Sequence, residues 1–594
     1  MKFIKIFLAS LAAVVVGSFV VFFLWILILV GAAGVMGGSA VKPVVDDSIL
    51  KIDFAELIND APSTDPFAGI DFATMEMTPS LSLLQTLRAI EAAAADDRIE
   101  GIYLRMNGLG RPADSGVMEE LRAALVQFKE SGKFIVSYNE SYSQGGYYLA
   151  TTADKIYLQP EGSMDWSGMA MPQLFFKGLL DKLDLNVEVF RPTVCKYKSA
   201  VEPYILKQMS PANRVQMQQL VDAMWGTICE AVSASREISV EELNRIADNL
   251  EVMLPEEALA HKLIDGVIYE DQMDAVFEEL GVKQNNEEEY NFITLGEYAA
   301  QVGADLKNIA SPEVAVVYAE GQIVDGEGVG PEIYGNTLAQ KIKEVREDDK
   351  VKAVVMRVNS PGGSALASDV IWREIELLKS EKPIIVSMGA YAASGGYYIS
   401  APADAIVADK MTLTGSIGVF GMFLDPVKAL DKKLGITVDR VKTNRSAGMG
   451  QLSPITAAER KAIMRGVDRV YATFTEHVSK GRNLPIEKVL EIAEGRVWSG
   501  VEALKIGLVD GNGGLKMAIA LAAEKADLGD QYRVVEKIEA PTGLAAYFSA
   551  FSARVKASWE ASELGLMMKE YRKVQEALSQ QGILMYSPYK VTLE

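Results

Sequence analysis

Laid against itself at a shift of 245 to 252 residues, this chain repeats. Gly101–Asn107 (GIYLRMN) falls on Ala353–Asn359 (AVVMRVN), Gly145–Ala150 (GGYYLA) on Gly395–Ser400 (GGYYIS), Asp154 on Asp404, and Ala258–Gly266 (ALAHKLIDG) on Ala503–Gly511 (ALKIGLVDG). Matches that keep their order over such a span mean one domain present twice, each copy roughly 220 residues and of ordinary single-domain size.

Inside each copy, apolar strands alternate with helical segments. The patterning predicts helices over Leu81–Ala94 and Val117–Phe128 around a strand at Ile99–Met106. It predicts the same around Val351–Val358, with helices over Thr337–Val345 and Ser368–Leu378. Such alternation argues for an α/β fold with crossover connections, here a tandem duplication. The expected division is 1–45 for an N-terminal stub and anchor, 46–275 for the first copy, 276–312 for a linker, 313–541 for the second copy and 542–594 for a tail. The linker carries the acidic run Asn285–Glu289. In the tail, Gly543–Leu578 reads as an amphipathic helix, either a packing arm or a surface for self-association.

Lys2 and Lys5 precede an uncharged run, Ile6–Val41, whose apolar core exceeds the roughly 20 residues that span a bilayer. An N-terminal transmembrane helix is expected, retained rather than cleaved because a signal-peptide core is shorter, although the small residues Ala32–Ala40 leave cleavage open. With the lysines on the cytoplasmic side, the remainder lies across the membrane, which in a bacterium is the periplasm. The formal net charge of −21 argues against a nucleic-acid partner, which would need a basic surface. Cys195 and Cys229 are the only cysteines. One possible bridge is no disulfide framework, so two free or buried thiols are expected. No Cys or His spacing suggests a metal.

Two stretches of the second copy carry chemistry. Met388–Ser400 (MGAYAASGGYYIS) reads as a strand end, a tight turn and a helix beginning at Ser394, Gly395 and Gly396. A serine there sits at a helix N-terminus, where unpaired N–H groups favour negative charge. Upstream, Asn359–Ser364 (NSPGGS) ends the strand at Val351–Val358 in a turn whose glycines let bare N–H groups approach a ligand. Strand, NSPGG, helix, strand and MGxxAASxG together resemble the Clp/crotonase superfold. That resemblance implies that Gly363 and Gly395 supply two N–H donors for an oxyanion.

The copies differ where this chemistry would sit. Opposite Ser394 the first copy has Gln144, and opposite the PGG turn it has Leu109–Gly110–Arg111. The first copy instead holds Lys196 and Lys198 in CKYKSAVEP, and the second puts Arg445 in register with Lys198. Arginine does not give up its proton near neutral pH, so it is no base. His261 and His477, the only histidines, lack a partner pattern and read as structural, and no GxSxG elbow is present. Lysine remains: Lys198, flanked by Tyr197, Ala200 and Val201, with Lys196 as the alternative. Burial would lower its pKa far enough for a neutral amine.

Tyr197–Pro203 (YKSAVEP), Tyr142–Ala150 (YSQGGYYLA), NSPGGS, AASGGYY and Thr414–Val419 (TGSIGV) resemble the signal peptide peptidase A family of the long, double-domain type, from the membrane run to about residue 540. The resemblance implies Lys198 as general base, Ser394 as nucleophile, Ser416 as a second serine holding the lysine amine, and a homotetramer. It implies a serine protease that degrades signal peptides left in the inner membrane and requires neither metal nor organic cofactor. The tail beyond Pro541 has no match in that family. A non-proteolytic crotonase-like enzyme and an inactive membrane scaffold are the alternatives.

Overall fold

The computed structural model describes Gly17 and residues 43–53, 57–63, 80–105, 114–285, 287–305, 312–450, 452–538 and 583–587. Apart from Gly17, the Ile6–Val41 run lies outside the described residues, as do Leu109–Arg111 and the expected tail helix over 543–578. Among the described residues no helix is long and apolar enough to cross a membrane.

The chain is an α/β protein built on two sheets of parallel strands. In the first, the strand order is Gly266–Val267, Lys155–Met164, Phe134–Tyr142, Ile99–Arg105, Ser48–Asp53 and Asn291–Thr294, all neighbours parallel. In the second, the order is Val497–Ser499, Leu413–Gly415, Ile384–Ala393, Val351–Ser360, Glu313–Glu320 and Arg533–Lys537. There Ala405–Ala408 also pairs with Ile384–Ala393, and only the Val497–Ser499 edge runs antiparallel. The central strand Val351–Ser360 is buried at every position but Lys352, as its valine-rich sequence requires of a parallel strand covered on both faces.

The helices around these strands are Leu83–Ala95, Ser115–Lys129, Gly335–Glu347 and Ala365–Lys379, so the expected elements exist within a few residues. Their starts follow the caps. Ser364 accepts a hydrogen bond from the Ala367 N–H, which begins that helix at Ala365 instead of Ser368. The stretch expected to link the copies holds the edge strand Asn291–Thr294 and the helix Leu295–Asp305, whose Leu295 and Tyr298 join the core of the first copy. The Arg533–Lys537 strand closes the second sheet at the matching place.

A third sheet draws on both copies. Asn186–Phe190 of the first copy runs antiparallel to Phe420–Asp425 of the second. Beyond it come Ile583–Tyr586 near the C-terminus, Gly362–Ser364 and Ile323–Val324. This mixed sheet ties a strand of the first copy into the same sheet as the Gly362–Ser364 turn of the second.

Candidate active site

Ser394 ends the strand Ile384–Ala393 and precedes the helix Gly395–Ser400, with φ 57° and ψ −113°. A non-glycine residue in that region costs of order 1–3 kcal/mol and persists only where its surroundings enforce it. Here they do so from three sides. The Ser394 N–H donates to the Gly415 carbonyl at 2.8 Å, and the Tyr397 hydroxyl donates to the Leu508 carbonyl at 2.7 Å. A Cβ on Gly396 would stand 2.6 Å from the Ser360 carbonyl oxygen, so only glycine lets the helix start this close to the neighbouring turn. Ser394 caps nothing with its side chain, which leaves the hydroxyl free for other work.

The neighbouring turn is Pro361–Gly363. Gly362 has φ +93°, a glycine conformation, and a Cβ there would collide with the Gly395 nitrogen. The Gly363 nitrogen lies 3.1 Å from where a Cβ of Gly395 would stand. The two glycines expected to supply N–H donors are therefore packed against one another beside Ser394.

Lys198 enters from the first copy. Its Nζ lies 2.7 Å from Ser394 Oγ, 2.9 Å from Ser416 Oγ and 3.0 Å from the Ser416 carbonyl oxygen. The side chain is about 1% exposed, and Ser394 and Ser416 are as deeply buried. Burial lowers the lysine pKa to about 7, opposed only by the nearby Cys195. A neutral amine accepts the Ser394 proton on its lone pair while its own hydrogens point to the Ser416 oxygens. Ser416 has φ 50° and donates its N–H to the Arg496 carbonyl at 2.6 Å, which fixes the residue that holds the amine.

The lysine arm is held by contacts between the copies. The Tyr197 N–H donates to the Glu494 carbonyl at 3.1 Å, and Gly495, at φ +78°, would bring a Cβ to 2.5 Å from Lys198 Cβ. Gln216 donates to the Tyr197 carbonyl at 3.0 Å and the Ser199 hydroxyl at 2.8 Å, and accepts from the Val497 N–H at 3.2 Å. The alternative base points elsewhere: Lys196 pairs with Glu494 at 2.9 Å and is 57% exposed.

Arg445 is exposed. His261 faces Glu251, and His477 stacks on Trp372 at 3.7 Å between ring centres. Cys195 and Cys229 are free and buried. In the first copy Gln144 fills the serine position, its amide exchanging two hydrogen bonds with Gly168 at 3.0 and 2.8 Å. The amide is satisfied locally and offers no nucleophile.

Three features had no sequence signal strong enough to find them. Arg357 is fully buried and pairs with Asp60 at 2.9 Å and Glu120 at 2.7 Å, both from the first copy. Asn359 donates to Asp114 of the first copy. The strand Ile583–Tyr586 lies between Gly362–Ser364 and Phe420–Asp425, at the edge of the site.

The family model described as Peptidase family S49 matches residues 127–284 and 376–529, one segment in each copy. The chain belongs to peptidase family S49. This S49 peptidase is 36% identical over 521 residues to Protease 4 of Salmonella typhi, covering 86% of this chain and 83% of that one. It is 37% identical to Protease 4 of Haemophilus influenzae, covering 75% and 73%. It is also 32% identical to the chloroplastic serine protease SPPA of Arabidopsis thaliana, covering 80% and 70%. As an S49 member the chain is a serine protease, and its tandem architecture is that of the family segments themselves.

Proposed function

We propose that Ser394 and Lys198 form the catalytic dyad of this protease, one residue from each copy. The observation that carries the reading is the 2.7 Å contact between a buried amine and a hydroxyl at a strained turn, 196 residues apart in sequence. Lys198, neutral, takes the Ser394 proton as the oxygen attacks a peptide carbonyl, and Gly363 and Gly395 donate N–H groups to the oxyanion. Donors of this kind are each worth roughly 3 to 4 kcal/mol of barrier. Lys198 then passes the proton to the leaving amine, and water resolves the acyl-enzyme with the same base. Ser416 holds the amine in place.

The substrates are short apolar peptides in extended form, cleaved signal peptides among them. That reading is supported by the apolar N-terminal run, which would anchor the chain in the bacterial inner membrane with its catalytic part in the periplasm, and by the family's long-type members. Assembly as a homotetramer belongs to the same reading. Family membership and the buried dyad favour peptide hydrolysis over a crotonase-like reaction or an inactive scaffold.

A peptide-aldehyde or fluorophosphonate probe tests the assignment. Labelling should vanish in Ser394→Ala and persist in Ser416→Ala, with denatured casein and leader peptides hydrolysed by the wild type alone or nearly so. Labelling that survives Ser394→Ala would remove the nucleophile from this reading.

A further inference from the structure

Arg496 stands at one remove from every side chain of the dyad. Its guanidinium carbon lies 5.1 Å from the ring centre of Tyr197, the residue before Lys198, and 4.0 Å from that of Trp498, both within cation–π range. The Trp498 ring in turn lies against the residue before Ser416: a Cβ on Gly415, at φ +74°, would come to 2.8 Å from Trp498 Cδ1. Gly415 is the residue whose carbonyl receives the Ser394 N–H, and the Arg496 carbonyl receives the Ser416 N–H. One residue therefore bears on the arm that carries Lys198 and on the backbone that fixes both serines.

That residue is itself held from both copies. Val497–Ser499 runs antiparallel to Leu413–Gly415, with Val497 opposite Gly415, and the Trp498 indole N–H donates to the Ile492 carbonyl at 3.1 Å. From the first copy, the helix Pro211–Arg236 presents Gln216 and Gln219 about one turn apart on the same face. Gln216 receives the Val497 N–H, and Gln219 accepts a hydrogen bond from the Arg496 guanidinium. An arginine aimed by an acceptor and stacked on two rings is a fixed plane, which a lysine or a solvated arginine is not. The repeat adds an independent sign. In the register that lays ALAHKLIDG on ALKIGLVDG, Arg496 falls on Glu251 and Trp498 on Met253. Glu251 turns to Arg245 and His261, and Met253 is exposed. The copy without the nucleophile has neither the cation nor the ring.

We propose that Arg496 is a positioning residue for the dyad, acting through Tyr197 on the arm that carries Lys198 and through Trp498 on the turn that fixes Ser394 and Ser416. The proposal rests on the dyad reading above. Arg496 touches no reacting atom. It sets whether the lysine amine and the two serine hydroxyls meet at bonding distance, and it keeps closed the seam between the copies in which the amine is buried. The charged or titrating groups around the Lys198 arm are the Cys195 thiol, the Arg191 guanidinium, which donates to the Lys198 carbonyl at 2.7 Å, and the Lys196–Glu494 pair. Opening the seam would admit water to the amine and move its titration back toward the ordinary lysine range.

The pH dependence of leader-peptide hydrolysis tests this with Arg496→Met, Tyr197→Leu and the two combined. Arg496→Met should lower kcat about tenfold at pH 7 with KM nearly unchanged, and should move the midpoint of kcat/KM upward from about 7, so that part of the loss is recovered at pH 9. Tyr197→Leu, which alters no charge, should do the same, and the double variant should be no worse than the more impaired single one. Losses that multiply, a midpoint that stays in place, or a lower melting temperature with kcat kept would each overturn the role of Arg496. Where Arg496→Met is too unstable to assay, Gln219→Leu, which keeps the guanidinium but removes its acceptor, should shift the midpoint less but in the same direction, and no shift there overturns the proposal. Lys198→Ala separates the two claims: if it keeps turnover the dyad falls and this proposal with it, whereas an inactive Lys198→Ala beside an Arg496→Met that matches wild type overturns this proposal alone.

Discussion

Asn359 donates its side-chain amide to the carboxylate of Asp114 at 2.7 Å, across 245 residues of sequence and across the boundary between the two copies. Asp114 also caps the helix Ser115–Lys129 through the Gly116 N–H at 2.9 Å, and Asn359 accepts the Tyr391 N–H at 3.3 Å. Asn359 lies just ahead of the turn carrying Gly363, and Tyr391 lies on the strand that ends at Ser394. The first copy thus supports the glycine turn as well as supplying the lysine.

Asn359→Leu should therefore lower kcat by about tenfold with KM little changed, because the glycine turn shifts relative to Ser394. Leaving the half-buried Asp114 carboxylate without this donor should also cost about 1 kcal/mol of stability. Steady-state kinetics on a leader peptide, with a melting curve alongside, separates the two effects. A variant that melts early but keeps its kcat would show that the contact is structural only.

The Lys198 amine gives the activity a direction in pH. It must be neutral to act, and its pKa is lowered to about 7, so kcat/KM should rise with pH through a midpoint near 7. Stability carries the same sign. Between about 7 and the ordinary lysine value of 10.5 the unfolded chain binds a proton that the folded chain does not, so stability rises with pH in that window and is lost as pH falls toward 7. Lys198→Met should flatten that part of the stability profile, measured by denaturant unfolding at several pH values.

Ser416 holds the amine by its hydroxyl at 2.9 Å while its backbone sits at φ 50°. Ser416→Gly removes the hydroxyl and suits the backbone, so folding should be preserved. Turnover should fall by about tenfold or more, with Ser394 still labelled by a peptide aldehyde. Unchanged turnover would reduce Ser416 to a bystander.

Arg357 is the joint between the copies. Its guanidinium neutralises Asp60 and Glu120 and donates to the Ser387 hydroxyl at 2.8 Å. Arg357→Met should cost about 3–5 kcal/mol, because two carboxylates are left buried without a counter-charge. The loss should be smaller at pH 5 than at pH 8, since burial already raises the Glu120 pKa and protonation relieves the unpaired charge. Melting temperatures at the two values check this.

Much of this architecture was legible in the residues themselves. The repeat gave the α/β alternation, the turns at NSPGGS and AASGG marked themselves by their glycines, and the mismatch of Ser394 with Gln144 and of Lys198 with Arg445 singled out the two side chains that the fold brings to 2.7 Å of each other. The contacts that join the copies were not legible. Asp114, Glu120 and Gln216 are ordinary polar residues of helices or their caps, and what matters about them is a partner hundreds of residues away. The Ile583–Tyr586 strand was hidden for a related reason: three of its residues pair with Gly362–Ser364 and two with Phe420 and Gly421 only because the fold has prepared a slot, and nothing local in them demands it.

The central claim is that Lys198 is the base for Ser394, and leader-peptide hydrolysis by Lys198→Ala and Lys198→Arg tests it most directly. Both should fold, and both should lose at least about a thousandfold in kcat/KM at pH 8, the alanine for want of an amine and the arginine because it stays protonated. Either variant retaining wild-type turnover would contradict the dyad.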